Sequence, residues 1–308
     1  MGRKNSGVPI HGWISLDKPR GVTSAVAVAR VKRALNAAKV GHGGTLDPLA
    51  TGILPIALGE ATKTVSFAMD GAKSYTFEVT WGAATATDDS EGAVIATSDK
   101  RPTTEEIVAA LPAFIGAIQQ VPPVYSAIKV DGERAYAKAR RDEEVVLAAR
   151  TVQVTDFRLT GMADADHARF AVDCGKGTYI RALVRDLAQA IGTVGHISEL
   201  RRTRCGPFSE KTAISLDNLE ALGHNAAQSA HLLPVETVLD DIPALALTAE
   251  EARRVSLGQS IALWPVAKRS PLTGLTPGMA VQAKCGDKLI AVAEVGDGMV
   301  RPVRVMNH

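Results

Sequence analysis

The sequence predicts an α+β protein in two parts, a large mixed strand-and-helix domain over residues 10–239 and a small β-barrel domain over 240–308. Three observations carry that expectation. Tyr75-Thr76-Phe77-Glu78-Val79-Thr80-Trp81 alternates apolar and polar residues, the period of a strand with one buried face. After Gly177, the residues Ile180, Leu183, Val184, Leu187 and Ile191 fall on one face of a helix, and Gly192 stops it. From Met279 onward, three short apolar runs are separated by Cys285-Gly286-Asp287 and Gly296-Asp297-Gly298, the turn chemistry of hairpins that close into a small barrel. With 308 residues, 46% of them hydrophobic, the chain can bury a core for one large domain and a small one.

Taken in order, the first element is a short strand at Trp13 to Leu16, which runs into the turn Asp17-Lys18-Pro19-Arg20-Gly21. Thr23 or Ser24 then caps a helix reaching about Asn36 and carrying Arg30, Lys32 and Arg33. Thr103 followed by Glu106 forms a capping box, and Pro112 limits the helix that it starts. Val152 to Leu159 and Ala168 to Cys174 read as a strand pair. Thr178 is the expected N-cap of the helix over Ile180–Ile191, and Arg181 and Arg185 lie off its apolar stripe. Arg181 is therefore expected in the first turn, facing away from the core and free to meet an anion. The Ala-, His- and Pro-containing stretch from Ala221 to Pro243 sets the boundary near Asp240.

Composition removes several classes of function. A net charge of +2 is too small to establish a nucleic-acid partner, although pairs such as Lys32-Arg33, Arg140-Arg141 and Arg201-Arg202 could track phosphates if folding gathers them. Taken singly, each reads as solvated surface. Cys174, Cys205 and Cys285 are far apart, with no C-x-x-C spacing, so neither a disulfide framework nor a zinc cluster is suggested. No apolar run approaches the roughly 20 residues that span a bilayer, and Met1 to Ser6 reads as a disordered basic leader; a cytoplasmic protein is expected. Gly41-His42-Gly43-Gly44-Thr45-Leu46 fails the dinucleotide fingerprint at its last position, and no phosphate-binding loop, zinc motif or nucleophile elbow occurs.

One stretch remains that points to chemistry. In Gly41-His42-Gly43-Gly44-Thr45-Leu46-Asp47-Pro48-Leu49-Ala50-Thr51-Gly52 a single carboxylate stands among glycines, hydroxyls and a proline. Glycines permit positive φ and close backbone approach, and Pro48 pushes Asp47 toward an extended conformation. A carboxylate held in such a loop can serve as nucleophile or base.

Read together, Leu16-Asp17-Lys18-Pro19, the Gly41–Gly52 stretch, Gly59-Glu60-Ala61-Thr62-Lys63, Tyr125-Ser126-Ala127-Ile128-Lys129, Lys176-Gly177-Thr178-Tyr179-Ile180-Arg181 and Leu200-Arg201-Arg202-Thr203-Arg204 closely resemble the TruB type of bacterial tRNA pseudouridine-55 synthases. The blocks span about Gly12 to Phe208, and the tail resembles that family's PUA module. The resemblance implies a mixed, largely antiparallel sheet of pseudouridine-synthase type. It also implies isomerisation of uridine 55 in the T loop of tRNA after the base is flipped, with no cofactor or metal. By motif position Asp47 is the catalytic aspartate and Arg181 the arginine that pairs with it and orients it. Attack at C1′, attack at C6 and removal of the 2′ proton all remain open to Asp47. Tyr75 is implied as the tyrosine that stacks on the target base, and is a candidate for removing the C5 proton. His42 is implied as the residue that fills the gap left by the flipped base. Lys18, Lys63, Lys129, Tyr179 and Leu200 occupy positions lining the pocket or its RNA-facing rim. The partner implied is the tRNA T stem-loop, with no membrane and no obligatory protein partner, and the chain is expected to be a monomer.

Two positions depart from the family pattern. Gly43 stands where threonine is usual, and Thr85-Ala86-Thr87 replaces Thr-Asp-Thr ahead of Asp88-Asp89. Two other classes compete with the synthase, a non-catalytic tRNA binder and a guide-dependent synthase resembling dyskerin.

Overall fold

The computed structural model describes residues 7–126, 128–130, 132–135, 138, 141, 143, 145–270 and 274–307. The expected leader over Met1–Ser6, and Arg140 of the basic pairs, lie outside them.

The chain builds β1 (Gly12–Lys18), α1 (Ser24–Leu35), β2 (Val40–His42), β3 (Thr51–Leu58), α2 (Val65–Asp70), β4 (Lys73–Trp81) and the hairpin β5 (Ala83–Thr85) with β6 (Val94–Thr97). It continues through α3 (Thr104–Ala110), β7 (Gly116–Gln120), the two-residue strands β8 (Lys129–Val130) and β9 (Glu133–Arg134), β10 (Arg150–Met162) and β11 (His167–Cys174). Then come α4 (Ile180–Ile191), β12 (Gly195–Cys205), β13 (Phe208–Ser209), β14 (Ala213–Ser215) and α5 (Leu216–Leu222). The tail holds β15 (Ala244–Ala246), α6 (Ala249–Ser256), β16 (Ile261–Ala262), α7 (Leu263–Arg269), β17 (Ala280–Cys285), β18 (Lys288–Gly296) and β19 (Met299–Val305).

Local chemistry explains most boundaries. Thr23 caps α1 by accepting from the Val26 N–H, and Asn36 ends it in the left-handed region at φ 47°. Ser24, Ala27, Val31 and Leu35 form its buried stripe. The capping box at Thr103 and Glu106 is present, and Pro112 turns the chain into a 3₁₀ turn at Leu111–Phe114. In α4 the five stripe residues are buried and Gly192 closes the helix at φ 80°. The expected cap is displaced by one residue. Tyr179, not Thr178, is the N-cap, because its main-chain N–H donates to Gln120 Oε1 at 2.8 Å while the Thr178 hydroxyl turns back to the Gly175 carbonyl.

The main sheet runs β14-β1-β3-β12-β4-β11-β10-β7, with β2 on β3 and β13 on β12. All its pairings are antiparallel except β1 with β14 and β3 with β12. The second of these matters for the site. It pairs Thr51 and Gly52, which directly follow the Asp47 loop, with Arg201 and Arg202. On one sheet face α1, α3, α4 and α5 bury a core that includes Tyr75, Phe77, Val79, Trp81, Phe170, Leu183 and Leu187. Phe77 and Phe170 stack within it, their ring centroids 5.4 Å apart.

The tail forms a five-stranded sheet of order β15-β17-β18-β19-β16, curled into a half-barrel around Leu245, Val255, Ile261, Val281 and Val300. The turn at Asp297 and Gly298 has both residues at positive φ, as a type I′ hairpin requires. A second cluster joins the tail to the rest: Leu289, Val292 and Met306 pack with Trp13, Ile53, Phe208, Val235 and Leu239. Polar contacts follow the same seam, for the Gln282 amide donates to the carbonyls of Leu239 and Ile242. Among the described residues no helix is long and apolar enough to cross a membrane.

Candidate active site

The site is assembled around the loop between β2 and β3. Its main chain is gripped from three sides. Ser24, buried at the start of α1, both donates to the Leu46 carbonyl at 2.9 Å and accepts from the Leu46 N–H at 2.8 Å. Below, the Gly21 N–H donates to the Pro48 carbonyl at 2.8 Å and Lys18 Nζ reaches the same oxygen at 3.4 Å. From β12, Arg202 donates to the carbonyls of Gly44 and Thr45. Gly52 sits at φ 94°, where an added Cβ would lie 2.2 Å from the Arg202 carbonyl, so only glycine lets β3 approach β12 at this point.

Held this way, Asp47 projects Oδ2 to within 3.0 Å of Arg181 Nη2. Its side chain is 37% exposed, and among the described residues Oδ1 has no hydrogen-bond partner. A carboxylate with one oxygen fixed and the other open is equipped to meet a reactant. Arg181 is not the exposed cation expected from helical periodicity. Its side chain is 5% exposed, because the turn after β5 and the segment at Tyr125 fold over that side of α4. Nη1 donates to the Thr87 carbonyl at 2.7 Å and Nη2 to the Tyr125 carbonyl at 2.9 Å. Asp89, 4% exposed, supplies a second carboxylate at 3.5 Å. Asp89 is fixed in turn by the Thr87 hydroxyl and the Glu91 N–H. One guanidinium therefore serves two carboxylates, one sealed and one facing solvent.

The remaining expected residues divide. Tyr179, at the start of α4, is half-buried and electrostatically coupled to both Asp47 and Arg181; burial raises its phenol. Leu200 and Arg202 lie opposite Phe77 and Tyr75 on adjacent strands, with their side chains on the same sheet face. Tyr75 is buried, and that burial pushes its phenol up to about 12, against the opposing pull of Arg202. The phenol is thus protonated at neutral pH. His42 is half-buried and, among the described residues, its Nδ1 has no hydrogen-bond partner; burial, then Arg202, lowers its pKa, so the ring is neutral near pH 7.

Lys18 belongs under the loop and not on the RNA-facing rim, being fully buried, with Nζ donating to the carbonyls of Pro19 and Val22 as well as Pro48. Lys63 stands elsewhere. It pairs with Glu60 at 2.6 Å and donates to the Val305 carbonyl at 2.7 Å, while Glu60 accepts from the Asn307 N–H, which makes it a clasp between the 3₁₀ turn Gly59–Lys63 after β3 and the tail. The Lys129 side chain lies outside the described residues. Sequence reasoning missed Asp89 and Ser24, and it read Arg202 as surface. The signal for Asp89 was present in Asp88-Asp89, but its partner is 92 residues away in the sequence: 181 − 89 = 92.

The two departures now have structural settings. A Cβ at Gly43 would lie 2.8 Å from Ala68 Cβ and 3.4 Å from Trp13, so this chain has no room for threonine there. Ala86 is exposed, and the flanking Thr85 and Thr87 hydroxyls both bond Asp89 without help from it. A cleft of about 490 Å³ is lined by polar residues such as Arg20, Glu78, Arg169 and Arg201 and by apolar ones, Leu49, Phe77, Phe170 and Leu200. Its lining omits Asp47, Tyr75 and Arg181. Within it Arg169 is paired with Glu78 and Arg201 with Asp17.

The architecture is that of the pseudouridylate synthases, isomerases that act on RNA uridine. Residues 32–180 match the TruB family pseudouridylate synthase N-terminal domain, and residues 181–240 match the tRNA pseudouridylate synthase B C-terminal domain. The chain belongs to the TruB family. It is 54% identical to the tRNA pseudouridine synthase B of Rhodospirillum rubrum, with 100% of both chains covered. It is 55% identical to that of Caulobacter vibrioides, with 99% of each covered. Among solved structures, a Cbf5-Nop10-Gar1 complex contains a chain that superposes with a TM-score of 0.76 at 27% identity, covering 100% of this chain and 90% of that one.

Proposed function

We propose that this chain converts uridine 55 in the T loop of tRNA to pseudouridine, with Asp47 carrying the chemistry. The observation that bears most weight is the 3.0 Å Asp47–Arg181 pair with the other carboxylate oxygen unengaged. The reaction breaks the N1–C1′ bond, forms C5–C1′, moves the C5 proton to solvent or a base, and returns a proton to N1. No atoms or electrons are gained overall. C1′ and C5 are shielded while the nucleotide is stacked, so the base must be flipped out, at a cost of roughly a few kcal/mol. The neutral imidazole of His42 suits a role as a stacking surface in the vacated position, and the neutral phenol of Tyr75 suits contact with the flipped base as a ring and hydrogen-bond donor.

In this reading residues 10–239 are the catalytic domain and 240–308 a PUA-like module that adds RNA contacts. Lys18, Tyr179 and Leu200 shape the pocket. Its partner is tRNA, and it acts as a monomer in the cytoplasm without an obligatory protein or guide. The relatives above bear the name tRNA pseudouridine synthase B over their full length, which supports tRNA as substrate.

The test is pseudouridine mapping after incubating pure protein with an unmodified T-stem-loop transcript and no guide RNA. Modification at position 55 alone is expected, and Asp47→Asn should abolish it while leaving RNA affinity within several-fold. Full turnover by that variant rejects the assignment to Asp47. Activity only with an added guide favours the guided reading, and binding without modification favours the non-catalytic one.

A further inference from the structure

Arg202 is a buried cation that the chemistry above leaves idle. The residue is 1% exposed, and its guanidinium donates Nε to the Ile53 carbonyl at 2.7 Å, Nη2 to Gly44 at 3.0 Å and Nη1 to Thr45 at 3.3 Å. Among the described residues no carboxylate pairs with it, whereas its neighbour Arg201 is neutralised by Asp17 and Glu210. A buried charge without a counter-ion is costly, and an apolar residue of similar volume would pack the same space more cheaply. What packing alone does not explain is where the donors go. All three grip main-chain oxygens on either side of Asp47, two of them two and three residues before it. Tyr75 lies directly across the β4–β12 pairing from Arg202 and feels its charge.

We propose that Arg202 is a positioning residue of the reaction centre, its planar fork fixing the height of the Asp47 loop over β12 and its register with Tyr75. The inference rests on the assignment of the chemistry to Asp47. Lysine cannot reproduce it, since a single nitrogen lacks the planar fork whose Nε, Nη1 and Nη2 each reach a different carbonyl. Displacing a reacting group by about 1 Å costs on the order of 100-fold in rate.

The experiment compares Arg202→Lys and Arg202→Gln in the full chain with Lys73→Met. Lys73 is buried and caps the carbonyls of Met69 and Gly71, none of them an oxygen that Arg202 holds, so its loss serves as a control for destabilisation. The single-turnover rate, with folded enzyme in excess over the transcript, is expected to fall about 100-fold in Arg202→Lys and further in Arg202→Gln, with RNA Kd within about threefold. Lys73→Met should stay within about twofold of the parent. If Arg202→Gln does not fold, Arg202→Lys decides. Equal rates per folded molecule in Arg202→Lys and Lys73→Met would reduce Arg202 to a structural residue and overturn the proposal. An active Asp47→Asn would instead sink the reading beneath it, while a dead Asp47→Asn beside a fully active Arg202→Lys sinks this inference alone.

Discussion

Replacing Arg181 by methionine should unfold the protein more readily, and the reason lies mainly with Asp89. With the guanidinium gone, Asp89 remains a carboxylate 4% exposed, left with the Thr87 hydroxyl and the Glu91 N–H, while the Thr87 and Tyr125 carbonyls lose their donor. Breaking a buried ion pair on one side costs about 3–5 kcal/mol. Asp47 adds little to that sum, because at 37% exposure water replaces its partner. Neutralising Asp89 in the double variant Arg181→Met/Asp89→Asn should therefore return about 2 kcal/mol, within the range of coupling energies for contacting residues. Turnover should not return with it, since Asp47 is still unheld. Urea denaturation of the parent, both single variants and the double gives the cycle, and single-turnover pseudouridine formation gives the activity. A destabilisation below about 1 kcal/mol in Arg181→Met, or a double variant no more stable than the single, would refute the claim that Asp89 rests on Arg181.

Three further outcomes follow from the geometry. Burial lowers Lys18 to about 8 from 10.5, so the folded state binds fewer protons than the unfolded state between those values. Stability of the parent relative to Lys18→Met should be flat below pH 8 and rise by about 3 kcal/mol toward pH 10.5; a level difference across that window disproves the shift. Gly52→Ala must take φ 94° and a 2.2 Å contact with the Arg202 carbonyl, so it should cost more than about 3 kcal/mol by thermal denaturation, and near-parental stability would show that β3 can move away from β12. Removing residues 240–308 strips Leu289, Val292 and Met306 from Trp13, Ile53 and Phe208, a loss of roughly 5 kcal/mol or more at 1.5–3 per side chain, so the shortened chain should melt well below the parent; an unchanged melting temperature would mean the seam contributes no stability.

Where a signal is local, the sequence carries it. The stripe of α4, the capping box at Thr103, the Asn36 stop region and the tail hairpins are each written within a few residues, and each appears where expected. Arg181 shows the limit. Its position off the apolar stripe was legible, but the cover over it comes from Thr87, Asp89 and Tyr125, and no helical period reports what another segment lays across a face. Arg201 and Arg202 looked alike as neighbours in a basic run; a strand points them to opposite faces, one into salt bridges at the surface and one into the sheet. Lys63 matched a motif position, yet its partner lies in the last strand of the tail. The pairing of Asp47 with Arg181 was reached through resemblance, since residues 134 apart (181 − 47) share no local pattern.

The anchors on the Asp47 loop have a consequence for how this segment can change. Ser24, Lys18, Gly21 and Arg202 all take hold of peptide groups, which every residue offers alike except proline, which would lack the N–H that Leu46 gives to Ser24. Thr45, whose side chain is exposed, is therefore open to drift, and Leu46 and Leu49 need only stay greasy and fit. Tolerance should therefore be widest at Thr45, while a library randomised across residues 41–52 would return the acid, the glycines at the bends and at Gly43, and apolar residues at Leu46, Leu49 and Ala50.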